Sequence, residues 1–259
     1  MLFALSACGQ SEGGYRVKSV LTLVEQEYSI AFRTGDYVGE FVPAAIKVLM
    51  ADGTVDALAQ RWFGSRIISF ESDANAIEKL KEKYEIYPRS LTIGVDTNSF
   101  PMAYVSEGSY WGFDIEFANV VCELLGWSLQ IQPINKEDVF VELSSGNIDC
   151  AWGGIVLDQK ELDNGRYEQF GPYVKNDIVV AVRSGEFIYN ALMLSGKSMA
   201  MCSTTEAMEA LQSNPKLEKR LNQVTRLAGG TTECFRYLYS GKVDAVLTDS
   251  TAMYYFNCH

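Results

Sequence analysis

The sequence predicts an α/β protein built from two similar lobes. Between residues 91 and 154, short apolar runs alternate with amphipathic helical stretches, and the same alternation returns between residues 198 and 248. Residues 140–149 and 235–244 share one spaced pattern of Phe, Leu, Ser, Gly, Ile or Val, and Asp. Because strands that alternate with helices form parallel sheets covered by helices, each stretch predicts one sheet. Two sheets predict two lobes with a cleft between them.

The periodicity of apolar residues predicts the individual elements in order. In the first stretch, strands and helices are expected at residues 91–96, 113–125, 128–134, 137–145 and 148–154. In the second stretch, they are expected at residues 198–203, 205–212, 223–228, 232–239 and 243–248. Before residue 89, the pattern predicts one strand and then three helices, at residues 28–32, 41–50, 55–63 and 72–84.

The composition is that of an ordinary globular protein. Of the 259 residues, 47% are hydrophobic and 21% are charged, and the length is sufficient for two lobes. The net charge of -11 argues against a nucleic-acid partner, because phosphate groups attract clustered Lys and Arg. After the first few residues, no apolar run approaches the roughly 18 residues that a membrane-spanning helix needs.

The N-terminal residues resemble the end of a bacterial lipoprotein signal. Leu5-Ser6-Ala7-Cys8 follows an apolar start and precedes a polar, glycine-rich stretch at residues 9–14. The resemblance implies lipidation of Cys8, which would anchor the folded part of the chain at a membrane surface. The alternative is an arbitrary terminus without a signal.

The cysteine pattern predicts neither a metal site nor a disulfide framework. The cysteines beyond Cys8 form no C-x-x-C pair, and the single histidine is His259. We therefore expect no metal and no cofactor, and we expect buried free thiols.

Seven short motifs follow one another in a characteristic order between residues 94 and 249. They are Gly-Val-Asp at 94–96, Phe-Pro-Met-Ala-Tyr at 100–104, Gly-Phe-Asp at 112–114, Ser-Gly-Asn-Ile-Asp at 145–149, Phe-Gly-Pro-Tyr at 170–173, Ser-Thr-Thr at 203–205 and Gly-Lys-Val-Asp at 241–244. In this order they resemble the extracellular solute-binding proteins of polar amino-acid ABC transporters, family 3. The resemblance implies the two-lobed type II periplasmic-binding-protein fold, the Venus flytrap, whose lobes close on a solute.

The order of the motifs also indicates a circular permutation. Tyr-Ser-Ile-Ala-Phe-Arg at 28–33, and the stretch from Ala-Asp-Gly-Thr at 51–54 to Trp-Phe-Gly at 62–64, resemble the family's C-terminal end. Here they precede the other motifs. The rival explanation is a fragment of a tandem pair, but one full set of motifs favours permutation.

The permuted order implies the following domain boundaries. Lobe 1 covers residues 28–173 and includes the moved segment 28–64 and a linker at 65–90. Lobe 2 covers residues 14–27 and 174–259, and residues 1–13 form the signal end and a tether.

The resemblance implies where an amino-acid solute would bind. Asp249 would meet the ammonium group, and the helix that starts at Ser203-Thr204-Thr205 would offer N–H groups to the carboxylate. The first lobe would contribute Asp96, Ser99, Phe100, Trp152, Gly153 and Gly154. The alternatives are strand-end and capping duty for Asp249 and the threonines, and core packing for Phe100 and Trp152.

One departure from the family's pattern concerns the carboxylate clamp. Glu161 stands where the family has the Arg that binds the solute's α-carboxylate. Arg166 is a candidate replacement. The alternative is that Arg166 lies in a surface loop, the clamp is absent and the solute is not an α-amino acid. Lys136 is another candidate cation for the cleft.

These observations predict a monomeric lipoprotein that binds a small polar solute outside the cell membrane or in the periplasm. Its partner would be the membrane permease of an ABC importer. An enzyme is the alternative in which Asp96, Glu161 or Asp249 acts as an acid or base. A ligand-sensing module is a third hypothesis, although the sequence shows no fused signalling segment.

Overall fold

The computed structural model describes residues 16–259, which divide into two compact units. The terminal unit contains residues 16–26 and Asn176–His259, and the central unit contains Glu27–Lys175. The chain therefore passes between the units twice, after Gln26 and after Lys175. The predicted lipidation site, Cys8, lies outside the described residues.

Both units are mixtures of strands and helices. The strands are β1 (Val17–Val24), β2 (Glu27–Arg33), β3 (Ser90–Val95), β4 (Asn98–Ser99), β5 (Ala103–Ser106), β6 (Ser109–Trp111), β7 (Ser128–Pro133), β8 (Cys150–Ala151), β9 (Tyr167–Lys175), β10 (Ile178–Arg183), β11 (Ser198–Cys202), β12 (Gln223–Leu227) and β13 (Ala245–Asp249). The helices are α1 (Tyr37–Ala51), α2 (Thr54–Phe63), α3 (Ala76–Lys81), α4 (Phe113–Leu125), α5 (Val139–Ser145), α6 (Gln159–Leu162), α7 (Thr205–Gln212), α8 (Pro215–Glu218), α9 (Gly230–Tyr239) and α10 (Ser250–Cys258). In residues 16–259, no helix is both long enough and apolar enough to cross a membrane.

The central unit contains a five-stranded sheet with the order β7-β3-β8-β2-β9. β3 runs parallel to β7 and β8, whereas β2 runs antiparallel to β8 and β9. The sheet is therefore mixed, which corrects the expectation of a purely parallel one. The antiparallel strand β2 comes from the segment before the predicted alternation, so the β-α-β pattern alone could not reveal it.

The terminal unit repeats this arrangement with the order β1-β10-β13-β11-β12. β11 runs parallel to β12 and β13, and β10 runs antiparallel to β13 and to β1. Each sheet thus has three parallel strands followed by an antiparallel one, in the same order. The internal sequence repeat therefore corresponds to a repeat of topology.

In the central unit, an arginine at the end of β2 binds backbone groups of the repeated segment 140–149. Arg33 donates through Nη1 to the carbonyl oxygens of Leu143 (2.8 Å) and Ile148 (2.7 Å), and its Nη2 pairs with Asp36. Leu143 lies in the last turn of α5, where carbonyl groups have no partner within the helix. The guanidinium therefore closes this helix end and supports the turn into β8.

Arg183, at the end of β10, makes the same contacts in the terminal unit. Its Nη1 donates to the carbonyl oxygens of Leu238 and Val243, and its Nη2 pairs with Glu186. Leu238 and Val243 are the repeat partners of Leu143 and Ile148. In both units, the repeated segment therefore places two backbone carbonyl oxygens where an arginine from the neighbouring antiparallel strand donates hydrogen bonds to them.

Helix α4 has the limits that its sequence predicts. Phe113, Phe117 and Val121 recur at helical spacing and are fully buried. Gly126 follows the helix with a φ of 69°, a left-handed conformation that glycine adopts without strain. The apolar stripe and the terminating glycine together fix the helix at Phe113–Leu125.

Two predicted elements are shorter than expected. β8 covers only Cys150–Ala151 of the strand expected at residues 148–154. α3 covers only Ala76–Lys81 of the helix expected at residues 72–84, and Ala76 and Ile77 are its only buried residues. Most helical stability in proteins comes from the packing of an apolar face. Because α3 has so little apolar contact, nothing stabilises further turns at its ends.

The predicted linker at residues 65–90 packs on the central unit. The ring of Phe70 stacks on Phe170, with centroids 4.7 Å apart, and on Tyr173 at 5.5 Å. The backbone N–H of Ser69 donates to the carbonyl oxygen of Tyr173 at 2.9 Å, and Ile68 is buried. This segment is therefore part of the folded unit.

Candidate functional site

The predicted site residues of the central unit gather where its parallel strands end. Asp96 follows β3, Lys136 lies three residues after β7, and Gly153 and Gly154 follow β8. Ligands of open α/β sheets bind beyond the carboxyl ends of the strands. We call these residues, with Ser99 and Phe100, the central edge.

Asp96 organises the turn that follows β3. Its Oδ1 accepts hydrogen bonds from the backbone N–H (3.0 Å) and Nδ2 (3.2 Å) of Asn98, and its Oδ2 accepts from Ser99 Oγ at 3.2 Å. Lys136 Nζ lies 4.0 Å from the same Oδ2. The carboxylate is buried within these contacts, so the structure brings Asp96, Ser99 and Lys136 together.

The two glycines of the central edge allow a close approach of main chains. A Cβ on Gly153 would lie 2.7 Å from Val95 Cβ, and a Cβ on Gly154 would lie 2.5 Å from Ser99 Cβ. Gly154 also has a φ of 65°, which disfavours other residues. Ser99 Oγ donates to the Gly154 carbonyl oxygen at 3.1 Å. Any side chain here would push the loop away from Ser99.

The buried carboxyl group of Asp114 binds the backbone of the loop at Gly154. Its Oδ2 accepts from the Gly154 N–H at 2.9 Å and from Tyr173 Oη at 2.7 Å. Burial raises the pKa of Asp114 to about 7, and the hydrogen bond from Tyr173 only partly opposes this shift. The sequence shows Asp114 in a Gly-Phe-Asp motif, but nothing local indicates its contact with Gly154.

Trp152 and Phe100 differ in their surroundings. Trp152 is fully buried, and its ring meets the Phe117 ring edge-on at 5.0 Å. This is the core-packing alternative, and it corrects the expectation that Trp152 lines a wall for the solute. Phe100 is half-buried, and its ring lies 5.0 Å from that of Tyr104.

The strand register separates Arg166 from the central edge. Gly94 lies at the level of Ala151, and Ala151 pairs with Ala31, which in turn pairs with Gln169. Arg166 precedes Gln169 by three residues, whereas Asp96 follows Gly94 by two, in the opposite direction along the sheet. At about 3.4 Å per residue, the two positions lie roughly 17 Å apart along the strands, in addition to their separation across three strands.

The side chain of Arg166 has other contacts at that opposite edge. Its Nη2 lies 4.0 Å from Glu161 Oε2, its guanidinium lies over the Tyr167 ring, and it is exposed. The expectation that Arg166 replaces the family's clamp is therefore wrong. Of the two candidate cations, the structure brings only Lys136 to the central edge.

The predicted residues of the terminal unit also lie at the carboxyl ends of parallel strands. Ser203 follows β11, Thr204 caps α7, and Asp249 ends β13. Thr205 is the first residue of α7. We call these four residues the terminal edge.

Asp249 is fixed by a residue that the sequence does not single out. Asp249 is the N-cap residue of α10, but its side chain makes no capping hydrogen bond. Its Oδ1 instead accepts from Asn176 Nδ2 at 2.7 Å. Asn176 is fully buried, and its Oδ1 accepts from Thr251 Oγ1 at 2.7 Å. Asn176 therefore orients the carboxylate, at the point where the chain enters the terminal unit.

The start of α7 combines a capping side chain with the N–H groups of a helix N-terminus. Thr204 Oγ1 accepts from the Ala207 N–H at 3.4 Å, which is the capping alternative considered for this threonine. Ser203 is exposed, and its N–H donates to the Leu227 carbonyl oxygen at 3.3 Å. The first N–H groups of a helix have no partners within it and attract anions. The helix start can therefore bind a carboxylate.

Four of the five described cysteines have the state that the sequence predicts. Cys122, Cys150, Cys202 and Cys234 are buried free thiols, and Cys258 is half-buried. Within residues 16–259, no group of three or more His, Cys, Asp and Glu side chains is arranged to hold a metal ion.

Residues 91–227 match a family model described as bacterial extracellular solute-binding proteins, family 3. The L-cystine-binding protein TcyJ of Escherichia coli strain K12 is 25% identical over 195 residues, which cover 73% of this chain and 67% of TcyJ. The probable amino-acid-binding protein YxeM of Bacillus subtilis strain 168 is 24% identical over 164 residues, covering 63% and 60% of the two chains.

A solved structure gives the same picture of the fold. It is the substrate-binding protein of a polar amino acid ABC uptake transporter from Streptococcus thermophilus, with a TM-score of 0.50 and 28% identity. The match covers 62% of this chain and 61% of that one, so less than two thirds of its length is spanned. These three relatives are named as binding proteins, and none is named as an enzyme.

Proposed function

The chain belongs to the bacterial extracellular solute-binding proteins, family 3, and we propose that it captures an amino acid for an ABC importer. Family membership places it among the binding proteins and not among enzymes. The observation that carries the proposal is the terminal edge, where a carboxylate and a helix start lie at the ends of neighbouring parallel strands. To bind an α-amino acid, a site needs a carboxylate for the ammonium group and N–H donors, such as a helix start, for the α-carboxylate.

Asp249 is the proposed partner of the ammonium group. Its Oδ1 accepts a hydrogen bond from Asn176, so the side chain is already oriented before the solute binds. A charge-assisted hydrogen bond from an ammonium group to an oriented carboxylate contributes more than a neutral one. A carboxylate held in this way also excludes solutes that carry only negative charge.

Lys136 is the proposed cation of the central edge. It stands in for the arginine that the family pattern would place at Glu161, because the other candidate lies at the opposite edge of the sheet. Asp96 lies 4.0 Å from the Lys136 ammonium group and keeps it near the loop at Gly154. A lysine offers a point charge and no bidentate fork, so we expect weaker selectivity for a planar carboxylate.

The solute would bind through both edges as the lobes close. The two passages of the chain between the units, after Gln26 and after Lys175, are the proposed hinge. Closure around a ligand by hinge motion of two domains is a common binding mechanism. The proposal includes a membrane permease as partner, a monomeric state, and an anchor through Cys8 outside the cell membrane.

We also propose that the chain is circularly permuted. The Asn257 side chain bonds both backbone polar groups of Val17, through Oδ1 to the N–H at 2.8 Å and through Nδ2 to the carbonyl at 3.0 Å. A chain that continued from α10 directly into β1 would keep this contact. The family match at residues 91–227 also begins at β3, where the unpermuted chain would begin.

The solute is identified by thermal unfolding of the full chain with a panel of polar amino acids, L-cystine, short peptides and polyamines. L-cystine belongs in the panel because of the relative TcyJ. We expect one or a few α-amino acids to raise Tm, by several degrees at a hundredfold excess over Kd. Stabilisation by no member of the panel, or by polyamines alone, would contradict the proposal.

A further inference from the structure

Two cysteines lie in contact directly behind the terminal edge. Cys202 is the last residue of β11 and precedes Ser203. Cys234 lies in the middle of α9. Their Sγ atoms are 3.5 Å apart, and Cys202 retains 9% of its surface, whereas Cys234 is fully buried.

The surroundings make the two thiols unequal. Thr231 Oγ1 lies 3.5 Å from Cys202 Sγ. The hydrogen bond with Cys234, helped by Thr231 and opposed by burial, lowers the pKa of Cys202. The same hydrogen bond, together with burial, raises the pKa of Cys234. Cys202 is therefore the more nucleophilic thiol at neutral pH, and it is also the more accessible one.

We propose that Cys202 and Cys234 form a reversible disulfide that fastens the end of β11, and with it the start of α7, to α9. The sulfurs, 3.5 Å apart, must approach by about 1.5 Å to reach the disulfide bond length of roughly 2.05 Å. The proposal rests on the extracellular location of the family, because disulfides persist in oxidising compartments.

The reaction is an exchange with a low-molecular-weight disulfide as the oxidant. The Cys202 thiolate attacks one sulfur, forms a mixed disulfide and releases the first small thiol. Cys234 then loses its proton and attacks Cys202 Sγ, which forms the protein disulfide and releases the second small thiolate, which takes up that proton. The two cysteines together lose two hydrogens, and the oxidant gains them.

The consequence for binding rests on the proposed function of the terminal edge. The disulfide would hold Ser203 and Thr204 in place before the solute arrives. Pre-organisation improves affinity because less ordering is required on binding. Oxidation is therefore expected to tighten solute binding several-fold, without changing which solute binds.

The test treats the folded full chain with hydroxyethyl disulfide and maps its peptides without reduction. The expected result is a peptide pair joined through Cys202 and Cys234, with the loss of two hydrogens. A rise in Tm of roughly 5–10 °C should accompany it, since the bond closes a loop of about 30 residues. If both thiols remain open to alkylation in the unfolded, oxidant-treated protein, or pair with other cysteines, the proposal is wrong.

Two variants separate the roles of the thiols. Cys234→Ser should stop at a stable mixed disulfide on Cys202, whereas Cys202→Ser should react at neither position. The control Cys122→Ser, a buried thiol of the central unit, should form the disulfide normally. An equal adduct on Cys234 in the Cys202→Ser protein would contradict the assignment of Cys202 as the attacking thiol. Disulfide formation without any change in affinity would overturn only the effect on binding, because the bond itself is measured without a solute.

Discussion

Asp114 accepts a hydrogen bond from the backbone N–H of Gly154 at 2.9 Å, so the first turn of α4 is tied to the loop of the central edge. The same oxygen accepts from Tyr173 Oη in β9. One buried carboxyl group therefore connects a helix, an outer strand and a loop that a substituent on Gly154 would displace. The hydrogen bonds of Asp114 thus tie the loop to α4 and to β9.

Replacement of Asp114 with Asn should change how stability depends on pH. The folded-state pKa of Asp114 is raised to about 7, so from about pH 4 upward the unfolded chain ionises while the folded chain stays protonated. The stabilising contribution present below pH 4 is thus lost as the pH rises to 7, by up to about 4 kcal/mol. Asp114→Asn should remove this loss, as measured by urea unfolding across that range.

The exposed Asp138 provides the control for this prediction. Asp138→Asn should keep the pH dependence of the parent protein. An Asp114→Asn protein with an unchanged pH dependence would show that burial does not shift the carboxyl group as described.

Replacement of Lys136 with Gln should weaken solute binding by at least ~10-fold, the effect expected from the loss of one charged contact. Arg166→Gln should leave Kd unchanged, since Arg166 lies at the opposite edge of the sheet. Both constants are measured by calorimetric titration with the solute found in the panel. Weaker binding by Arg166→Gln with an unchanged Kd for Lys136→Gln would show that Arg166 binds the solute's carboxylate, which would contradict its position at the opposite edge of the sheet.

Several parts of the fold follow from local sequence. The limits of α4 and α7 were predictable because an apolar stripe, a terminating Gly126 and a capping Thr204 lie within the elements or next to them. The edge positions of Asp96 and Asp249 were predictable for a similar reason, since each ends or follows a recognisable strand.

The remaining features depend on pairings between distant segments. The position of Arg166 is set by the register of β9 on β2, which no local sequence pattern records. Asn176 was missed because its partners, Asp249 and Thr251, lie more than 70 residues away in the sequence. β1 was missed because it is an outer strand that only β10 specifies.

Replacement of Arg183 or Arg33 with Met should destabilise its own unit. Each guanidinium donates to two carbonyl groups at a helix end and the following turn, and Met leaves them without these donors. We expect a loss of about 3 kcal/mol in the free energy of unfolding for each variant. Chemical unfolding measures it, with the exposed Arg226→Met as control. A loss below that of the control would contradict the structural role.

A reordered chain should test the permutation. The variant begins at residue 91, continues to 259, and then joins residues 16–64 through a short glycine-rich connection, omitting the linker. We expect it to fold and to bind the same solute, because β2 and helices α1 and α2 can reach their places in either order. Lower stability is expected from the loss of the Phe70 contacts. Failure of the reordered chain to fold even with the linker segment added as a peptide would contradict the permuted arrangement.

The central claim is that Asp249 receives the ammonium group of an amino acid. Calorimetric titration tests it most directly, with the amino acid and its N-acetyl derivative added to the parent protein and to Asp249→Asn. We expect the parent protein to bind the amino acid, Asp249→Asn to bind it with an affinity at least ~30-fold lower, and neither protein to bind the N-acetyl form measurably. Glu209→Gln, an exposed carboxylate on α7, should behave as the parent. Equal affinity for the N-acetyl derivative, or an unchanged affinity in Asp249→Asn, would contradict it.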